Sequence, residues 1–181
     1  MFYESTKPDV LTEGKWDEES CRRRIGGYDF TKSSFSTDET KWLPKGAPLA
    51  LDSTTGNAVL IKTAKAAAAA LAEATSLKVE KGHLLAVGDV INGSTISAIT
   101  PGEDYDTLTV SALGAAVAEG EVVDTLGSKK VLGLNYASVK MRGQVTVTPT
   151  LQAYEIEEDT LPYPLSEAIK EGLTCRHAFK L

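Results

Sequence analysis

Turn-forming residues recur about every 8 to 12 positions from Leu43 onward, and this spacing limits the fold more than any other feature of the sequence. The strongest of these signals is Asn92-Gly93, which stands between strand-forming residues. Both central residues of a two-residue type I′ turn need a positive φ, which Asn and Gly tolerate best. The sequence therefore predicts a mainly β fold, a small barrel or sandwich built from hairpins.

Short runs of strand-forming residues lie between the turns. A first hairpin is expected around Thr54-Thr55-Gly56-Asn57, where Gly and Asn permit a tight turn between two apolar runs. Leu77 and Val79 alternate with polar neighbours, as in a strand that buries one face. The strands predicted before residue 125 are 48–51, 58–61, 76–80, 90–91, 95–100, 105–110 and, after a turn near Gly120, 121–124.

The longest alternation of apolar and polar residues covers residues 139–148. The apolar positions are Val139, Met141, Val145 and Val147. Gly143 occupies the one position of this alternation, between Met141 and Val145, where another apolar residue would be expected. Period 2 over this length predicts one half-buried strand, in which Gly143 marks a bulge or a close backbone approach. Pro149 limits the strand, because proline has no N–H to donate to a central ladder.

A short amphipathic helix is expected near residues 165–173, with Ser166 at its start and Gly172 near its end. Its apolar positions follow helical spacing and are Leu165, Ala168, Ile169 and Leu173. The alanine-rich segment 64–74 suits a helix of about two turns by propensity, but alanine also packs in tight strands and the surrounding pattern is β. Helix and strand both stay open for this segment.

Residues 1–41 differ from the rest of the chain. They hold seven basic and nine acidic residues, and their apolar residues follow neither strand nor helix periodicity. This predicts an extended, loosely structured N-terminal arm over 1–41, followed by a β-rich domain over 42–181. Aromatic residues are too frequent for a disordered arm, so some should dock on the body or on a neighbouring subunit: Phe2, Tyr3, Trp16, Tyr28, Phe30 and Phe35.

Charge and composition narrow the classes of function. The formal net charge of −6 argues against nucleic acid as the main partner, because surfaces that bind DNA or RNA are basic. No apolar run approaches the roughly 18 residues of a membrane span, and the first residues lack the basic and apolar regions of a secretory signal. Two cysteines, Cys21 and Cys175, leave the redox compartment open. We therefore expect a soluble intracellular protein with no membrane partner.

The search for chemistry predicts no catalytic residue, no cofactor and no metal site. Neither His83 nor His177 has a nucleophile and an orienting carboxylate at a suitable spacing. Cys175 and His177 offer two zinc ligands where three or four are needed. His83 is expected to hydrogen-bond the adjacent turn rather than to act as a base.

Three further patterns indicate turns rather than ligand sites. Glu103, Asp104 and Asp106 lack the spacing of a calcium loop and indicate a solvated turn. Asn92-Gly93-Ser94 matches a glycosylation acceptor, but the hairpin turn explains it better. Gly26-Gly27 and Gly114 lie outside any strand, loop and helix pattern with a following Lys-Ser/Thr, so nucleotide binding has little support.

Several segments stand out by their order along the chain. They are Leu43-Pro44-Lys45-Gly46-Ala47-Pro48-Leu49, then Lys81-Gly82-His83 with Val87-Gly88-Asp89-Val90-Ile91, then Gly133-Leu134-Asn135-Tyr136, and finally Leu161-Pro162-Tyr163-Pro164-Leu165. As an ordered set they resemble the head fibre proteins of tailed bacteriophages, which are found also as prophage genes in gut bacteria. The resemblance covers about residues 43–173, which is most of the chain.

The resemblance implies a non-enzymatic structural protein of the virion. Such a protein is made in the bacterial cytoplasm and attaches to the outer surface of the capsid, where its partner is the phage major capsid protein. Related capsid decoration proteins are often trimers, so a homo-oligomer is expected, with a trimer favoured. Residues 1–41 are then interpreted as an arm that docks on the capsid or exchanges between subunits, but no capsid-contact residue is assigned.

Two other functions remain as alternatives. The first is a non-catalytic β-barrel binding module for a carbohydrate or peptide, which predicts a concave patch lined by aromatic side chains. Tyr105 and Tyr136 are the main aromatic candidates in the strand region, followed by Tyr154 and Tyr163. The second is an enzyme, which would need a carboxylate pair or His83 in a cleft.

Overall fold

The computed structural model describes residues 11–173 and 176–180, and its architecture is mainly β, as predicted. Strands make up 43% and helix 7%, and one sheet curls into a half-barrel. The strands are β1 (Lys15–Arg23), β2 (Tyr28–Asp29), β3 (Trp42–Leu43), β4 (Pro48–Leu51), β5 (Ala58–Leu60), β6 (Thr63–Lys65), β7 (Ser76–Glu80), β8 (Val90–Ile91), β9 (Ser94–Pro101), β10 (Tyr105–Val110), β11 (Val122–Asp124), β12 (Lys130–Leu134), β13 (Val139–Lys140), β14 (Thr146–Val147), β15 (Thr150–Glu157) and β16 (His177–Phe179). The described helices are α1 (Glu167–Gly172) and two 3₁₀ turns, Lys32–Ser34 and Glu158–Thr160.

A four-stranded sheet in the order β7-β10-β9-β8 is built from the hairpins that the turn signals predict. Leu77 and Val79 are buried while their neighbours on β7 are exposed, which confirms the predicted alternation. Ile91 pairs with Ser94 across the β8–β9 turn. Asn92 and Gly93 have φ of 47° and 78°, as a type I′ turn requires. The hairpin predicted at Asn92-Gly93 is therefore confirmed.

A second sheet, in the order β12-β4-β5, contains the predicted first hairpin. Leu49 pairs with Leu60 and Leu51 pairs with Ala58, so the chain reverses across residues 52–57. All three β5 residues are buried, as are the first three of β4. The strands of this hairpin therefore belong to the core, whereas its turn at residues 53–56 is exposed.

A third sheet joins distant parts of the chain, because β1 runs antiparallel to β15 and β16 lies parallel on the other side of β15. Residues 15–23 are extended, as predicted for the arm, but they form a paired strand and not a loose segment. Trp16 and Phe30 are buried in two different hydrophobic clusters of the body. This agrees with the prediction that some aromatic residues of the arm dock on the body. Phe2 and Tyr3 lie outside the described residues, and the boundary at residue 41 stays a prediction.

The single strand predicted over residues 139–148 is wrong. The structure has two short strands, β13 and β14, that pair with β3 and β2 respectively. Gly143 has φ of +62°, so the chain turns there instead of continuing straight. Met141, Val145 and Val147 are nevertheless buried, because each short strand keeps its own apolar face inward.

The alanine-rich segment 64–74 contains no helix: it begins in a strand, bends at residues 67–68 and turns at residues 72–73. Its first residues belong to β6, which pairs with β11, and Ala66 and Ala70 form bridges to Val79 and Val117. Glu73 has φ of +66°, which a helix does not permit. Tertiary pairing on both sides of the segment thus overrides the helix propensity of alanine.

Helix α1 confirms the predicted C-terminal helix and its cap. The Ser166 hydroxyl accepts a hydrogen bond from the Ile169 N–H at 3.2 Å, so Ser166 is the N-cap. Leu165, Ile169 and Leu173 are buried against β12 and β15 neighbours, whereas Ala168, predicted on the same face, is exposed. The helix ends at Gly172, and a Cβ at this position would lie 2.4 Å from Val131 Cγ2.

Candidate functional site

Two of the segments that carry the family resemblance are tied together by Asn135. Its backbone N–H donates to the carbonyl of Ala47 at 2.8 Å, and its own carbonyl accepts from the Gly46 N–H at 2.8 Å. The side-chain amide donates to the carbonyl of Pro44 at 3.0 Å and to that of Ala137 at 2.8 Å. Asn135 is fully buried, so these bonds replace water for backbone groups that would otherwise be unpaired.

The segment at residues 161–165 packs onto the same place. Gly46 has φ of +89°, and a Cβ there would lie 3.1 Å from both Leu161 Cδ2 and Pro162 Cδ. A glycine at residue 46 therefore permits a close approach that larger residues would block. We call this contact region the motif junction and define it by residues 44–47, 135–137 and 161–162. Three of the segments with the resemblance thus pack together, whereas residues 81–83 and 87–91 lie outside the junction.

A groove of about 450 Å³ opens beside the motif junction, and aromatic rings line it. We call it the aromatic groove and define it by Phe35, Trp42, Pro44, Leu84, Pro162 and Tyr163. Leu11, Thr12, Ser36 and Lys41 complete its wall. Burial raises the pKa of the Tyr163 phenol to about 12, so this hydroxyl keeps its proton to a higher pH than an exposed tyrosine does.

A smaller cavity, of about 170 Å³, shares Pro162 and Tyr163 with the aromatic groove and is also lined by His83. The Leu85 N–H donates to His83 Nδ1 at 3.2 Å, which confirms that His83 binds the adjacent turn. In the neutral ring the proton is then on Nε2, which lies 3.3 Å from Asp106 Oδ2. The Nε2–Asp106 contact is close without the alignment of a hydrogen bond, so it orients the ring only weakly.

Asp106 does not belong to the solvated turn that the sequence predicts for it. It lies on β10, pairs in register with Val79 and Pro101, and has a side chain that is only 19% exposed. Glu103 and Asp104 are exposed in the turn between β9 and β10, as predicted. The three carboxylates are therefore divided between a turn and a strand.

The remaining candidate residues occupy structural positions. His177 lies on β16 with Nε2 3.0 Å from Thr150 Oγ1, and Cys175 lies outside the described residues. Burial, and then the Glu18 carboxylate, raise the pKa of the Cys21 thiol, which makes it a poor nucleophile at neutral pH. Gly26 and Gly27 form a tight turn with positive φ. Over 11–173 and 176–180, no three His, Cys, Asp or Glu side chains are placed to hold a metal ion.

Sequence reasoning missed the aromatic groove. It placed Phe35 in the arm, did not consider Trp42, and named Tyr163 as an aromatic candidate only after tyrosines that do not line this groove. The groove depends on the β3–β13 pairing and on the contact between Gly46 and Pro162, which join residues far apart in the sequence. The one available signal was the set of aromatic residues before residue 43, in a region without strand or helix periodicity.

Comparison of the chain with protein-family models, with curated proteins and with solved structures found no match. Among the described residues, no helix has the length and apolar character needed to cross a membrane.

Proposed function

We propose that this chain is a structural protein of a bacteriophage virion, a head fibre or capsid decoration protein that binds the outer surface of a shell of major capsid protein. The observation that supports the proposal most directly is the motif junction. Three segments that resemble head fibre proteins in sequence pack against one another, although up to about 115 residues separate them along the chain. The segments 81–83 and 87–91, which also carry the resemblance, lie outside this junction, so the support comes from the other three segments.

Attachment to a capsid requires many modest contacts rather than one tight interface. A shell repeats the same surface many times, so an oligomer that engages several sites gains avidity without a strong individual contact. In this proposal the protein is made in the bacterial cytoplasm and assembles as a homo-oligomer, with a trimer favoured. The net charge of −6 favours a basic patch on the shell, and capsid occupancy should then fall as salt is raised.

The test is cosedimentation of the purified protein with heads assembled from the major capsid protein encoded in the same phage or prophage genome. We expect saturable binding with a fixed ratio of protein to capsid subunits, and density on the outer surface by electron microscopy. The control is the same heads incubated with an acidic globular protein of similar size. Absence of cosedimentation at low salt and micromolar protein would overturn the proposal.

The aromatic groove favours a second candidate function, a non-catalytic binding module for a carbohydrate or peptide. Its volume of about 450 Å³ is within the range of small-molecule sites, and aromatic rings offer flat apolar faces to sugar rings and proline-rich peptides. The Tyr163 hydroxyl and the Lys41 ammonium are the polar groups that would fix the orientation of such a ligand.

The two tryptophans of the chain make this second candidate testable. Trp42 lines the groove, whereas Trp16 is buried elsewhere with 7% of its surface exposed. A glycan array and a panel of proline-rich peptides would supply candidate ligands. A ligand in the groove should change the fluorescence of Trp16→Phe protein, in which Trp42 remains, and not that of Trp42→Phe protein. Equal responses from both variants would exclude the groove as the site.

A further inference from the structure

The end of β1 and the turn that follows it present three arginines and an exposed isoleucine. We call residues 22–25 the arginine tip; it comprises Arg22, Arg23, Arg24 and Ile25. Ile25 is 97% exposed, and Gly26 and Gly27 reverse the chain behind it with φ of +87° and +64°. Within the part of the chain that the structure describes, none of the three arginines has an ion-pair partner.

Two of these arginines are held in place by aromatic rings. The Arg23 guanidinium lies 4.8 Å from the centre of the Tyr136 ring, and that of Arg24 lies 4.4 Å from the centre of the Tyr28 ring. Such stacking leaves the guanidinium N–H groups available to carboxylates. It also lowers the side-chain entropy that binding would cost. The tip is therefore an ordered cationic surface with an apolar centre.

A groove of opposite charge lies elsewhere on the molecule. It has a volume of about 380 Å³, and its charged lining consists of four carboxylates and one ammonium, a net charge of −3. We call it the acidic groove and define it by Glu121, Asp124, Glu158, Glu167 and Lys170. Between these charges lie the apolar side chains of Val122, Leu165 and Ala168.

The single ammonium of the acidic groove is already engaged. Lys170 Nζ lies 2.7 Å from Glu158 Oε1 and 3.2 Å from Glu167 Oε1. It therefore neutralises part of the groove, while Glu121 and Asp124 accept hydrogen bonds only from the Ala118 and Leu126 N–H groups and from the Ser166 hydroxyl. An excess of negative charge remains in a concave surface that also includes apolar residues.

The arginine tip and the acidic groove lie at opposite ends of β15. Arg23 pairs with Thr150, the first residue of that strand, whereas Lys15 pairs with Glu157 at its end, and Glu158 of the groove follows directly. Eight extended residues span roughly 25 Å. Because β15 is fixed between β1 and β16, the tip of one molecule cannot reach its own groove.

We propose that the arginine tip of one copy docks in the acidic groove of a second copy. The three arginines meet the groove carboxylates, and Ile25 fits between them against the apolar side chains of the groove. Because tip and groove are different surfaces, the contact is heterologous, and repetition closes a ring or extends a filament according to the rotation between copies. The proposal does not depend on the capsid function, since both surfaces belong to this chain.

The test uses two variants that each lose one half of the contact. The tip variant carries Arg22→Glu and Ile25→Glu, which avoid the stacked Arg23 and Arg24. The groove variant carries Glu167→Arg and Ala168→Arg, two exposed positions of α1. The solution mass is measured by light scattering across a concentration series, in the absence of capsids. Circular dichroism checks that both variants are folded.

The wild-type protein should have a mass above that of the monomer, and each variant should assemble at least about 30-fold more weakly. An equimolar mixture of the two variants should form a dimer and grow no further, because it contains one intact tip and one intact groove per pair. Raising the salt to about 1 M should dissociate the wild-type assembly, since the screening length falls to roughly 3 Å.

Several outcomes would overturn the proposal. They are a wild-type monomer at every concentration, wild-type-like assembly of either variant, and a mixture of folded variants that stays monomeric. If one variant does not fold, the salt series on the wild-type protein decides, because an assembly that is stable in 1 M salt does not depend on these charges. Capsid cosedimentation is measured separately, so failure of one proposal leaves the other testable.

Discussion

Tyr163 lines both the aromatic groove and the cavity beside His83, and burial of its phenol couples stability to pH. Burial disfavours the phenolate and raises the pKa to about 12 from an ordinary value of 10. Below pH 10 the folded and unfolded chains both keep the proton. Between pH 10 and 12 the unfolded chain releases it first, so the free energy of unfolding falls with rising pH.

The first prediction follows from this difference in pKa. Between pH 9 and pH 11 the Tyr163 phenol alone should lower the free energy of unfolding by about 1.4 kcal/mol. Tyr163→Phe should remove this part of the decrease, which urea denaturation at the two pH values would measure. Between pH 7 and pH 9 the difference between the two proteins should stay constant. An equal decrease at pH 11 in both proteins would contradict the assigned burial.

The second prediction concerns the side chain of Asn135 and its effect on stability. Asn135→Ala removes the donors for the Pro44 and Ala137 carbonyls and leaves a cavity in the motif junction. The Pro44 carbonyl keeps only one long hydrogen bond of 3.4 Å from a backbone N–H, and Ala137 is exposed, so its carbonyl can bind water. The lost hydrogen bonds and the cavity should together cost about 1 to 3 kcal/mol by urea denaturation. Asn57→Ala is the matched control, because the Asn57 amide makes one long hydrogen bond of 3.4 Å to Thr31 Oγ1. Equal losses in the two variants would show that the junction does not depend on Asn135.

At the scale of elements, the sheets are joined where β12 crosses β15. Leu134 N–H donates to Thr150 Oγ1 at 3.0 Å, and a Cβ on Gly133 would lie 2.1 Å from the Thr150 carbonyl oxygen. Gly133 also has φ of +140°, which side chains rarely adopt. The sheet that contains the first hairpin can thus contact the sheet of β1 and β15 only because residue 133 has no side chain.

The third prediction tests that crossing. Gly133→Ala should lower the free energy of unfolding by about 2 to 4 kcal/mol, the combined cost of overpacking and of an unfavourable φ. Gly143→Ala is the control, because it has φ of +62° and open space around the added Cβ. It should cost about 1 to 2 kcal/mol. Chemical denaturation of both variants gives the comparison, and a Gly133 variant no less stable than the control would disprove the steric argument.

At the scale of the whole molecule, the sequence predicted those elements whose conformation depends on residues close together in the chain. Asn92-Gly93 and Ser166 act through the conformation of a few neighbouring residues, so the β8–β9 hairpin and α1 could be predicted from the sequence. The pairing of β1 with β15 joins residues about 130 positions apart and depends on burial of Trp16, which no local pattern encodes. The same holds for residues 139–148, where partners on β2 and β3 divide the predicted strand, and for the aromatic groove.

The fourth prediction concerns whether residues before β2 belong to the body of the protein. Removal of residues 1–23 takes away β1, uncovers one edge of β15 and empties the space filled by Trp16 in the cluster around Ile156 and Leu161. Loss of a buried tryptophan alone costs about 3 to 5 kcal/mol, a large part of the stability of a typical domain.

We therefore expect the truncated chain to unfold at a much lower urea concentration than the full chain, or to aggregate through the uncovered edge. The matched variant is Trp16→Ala in the full chain, which empties the same space but keeps β1 and should lose less stability. If the truncated chain instead unfolds at the same midpoint as the full chain, β1 is only a docked extension, and the division of the chain into an arm and a body would be correct.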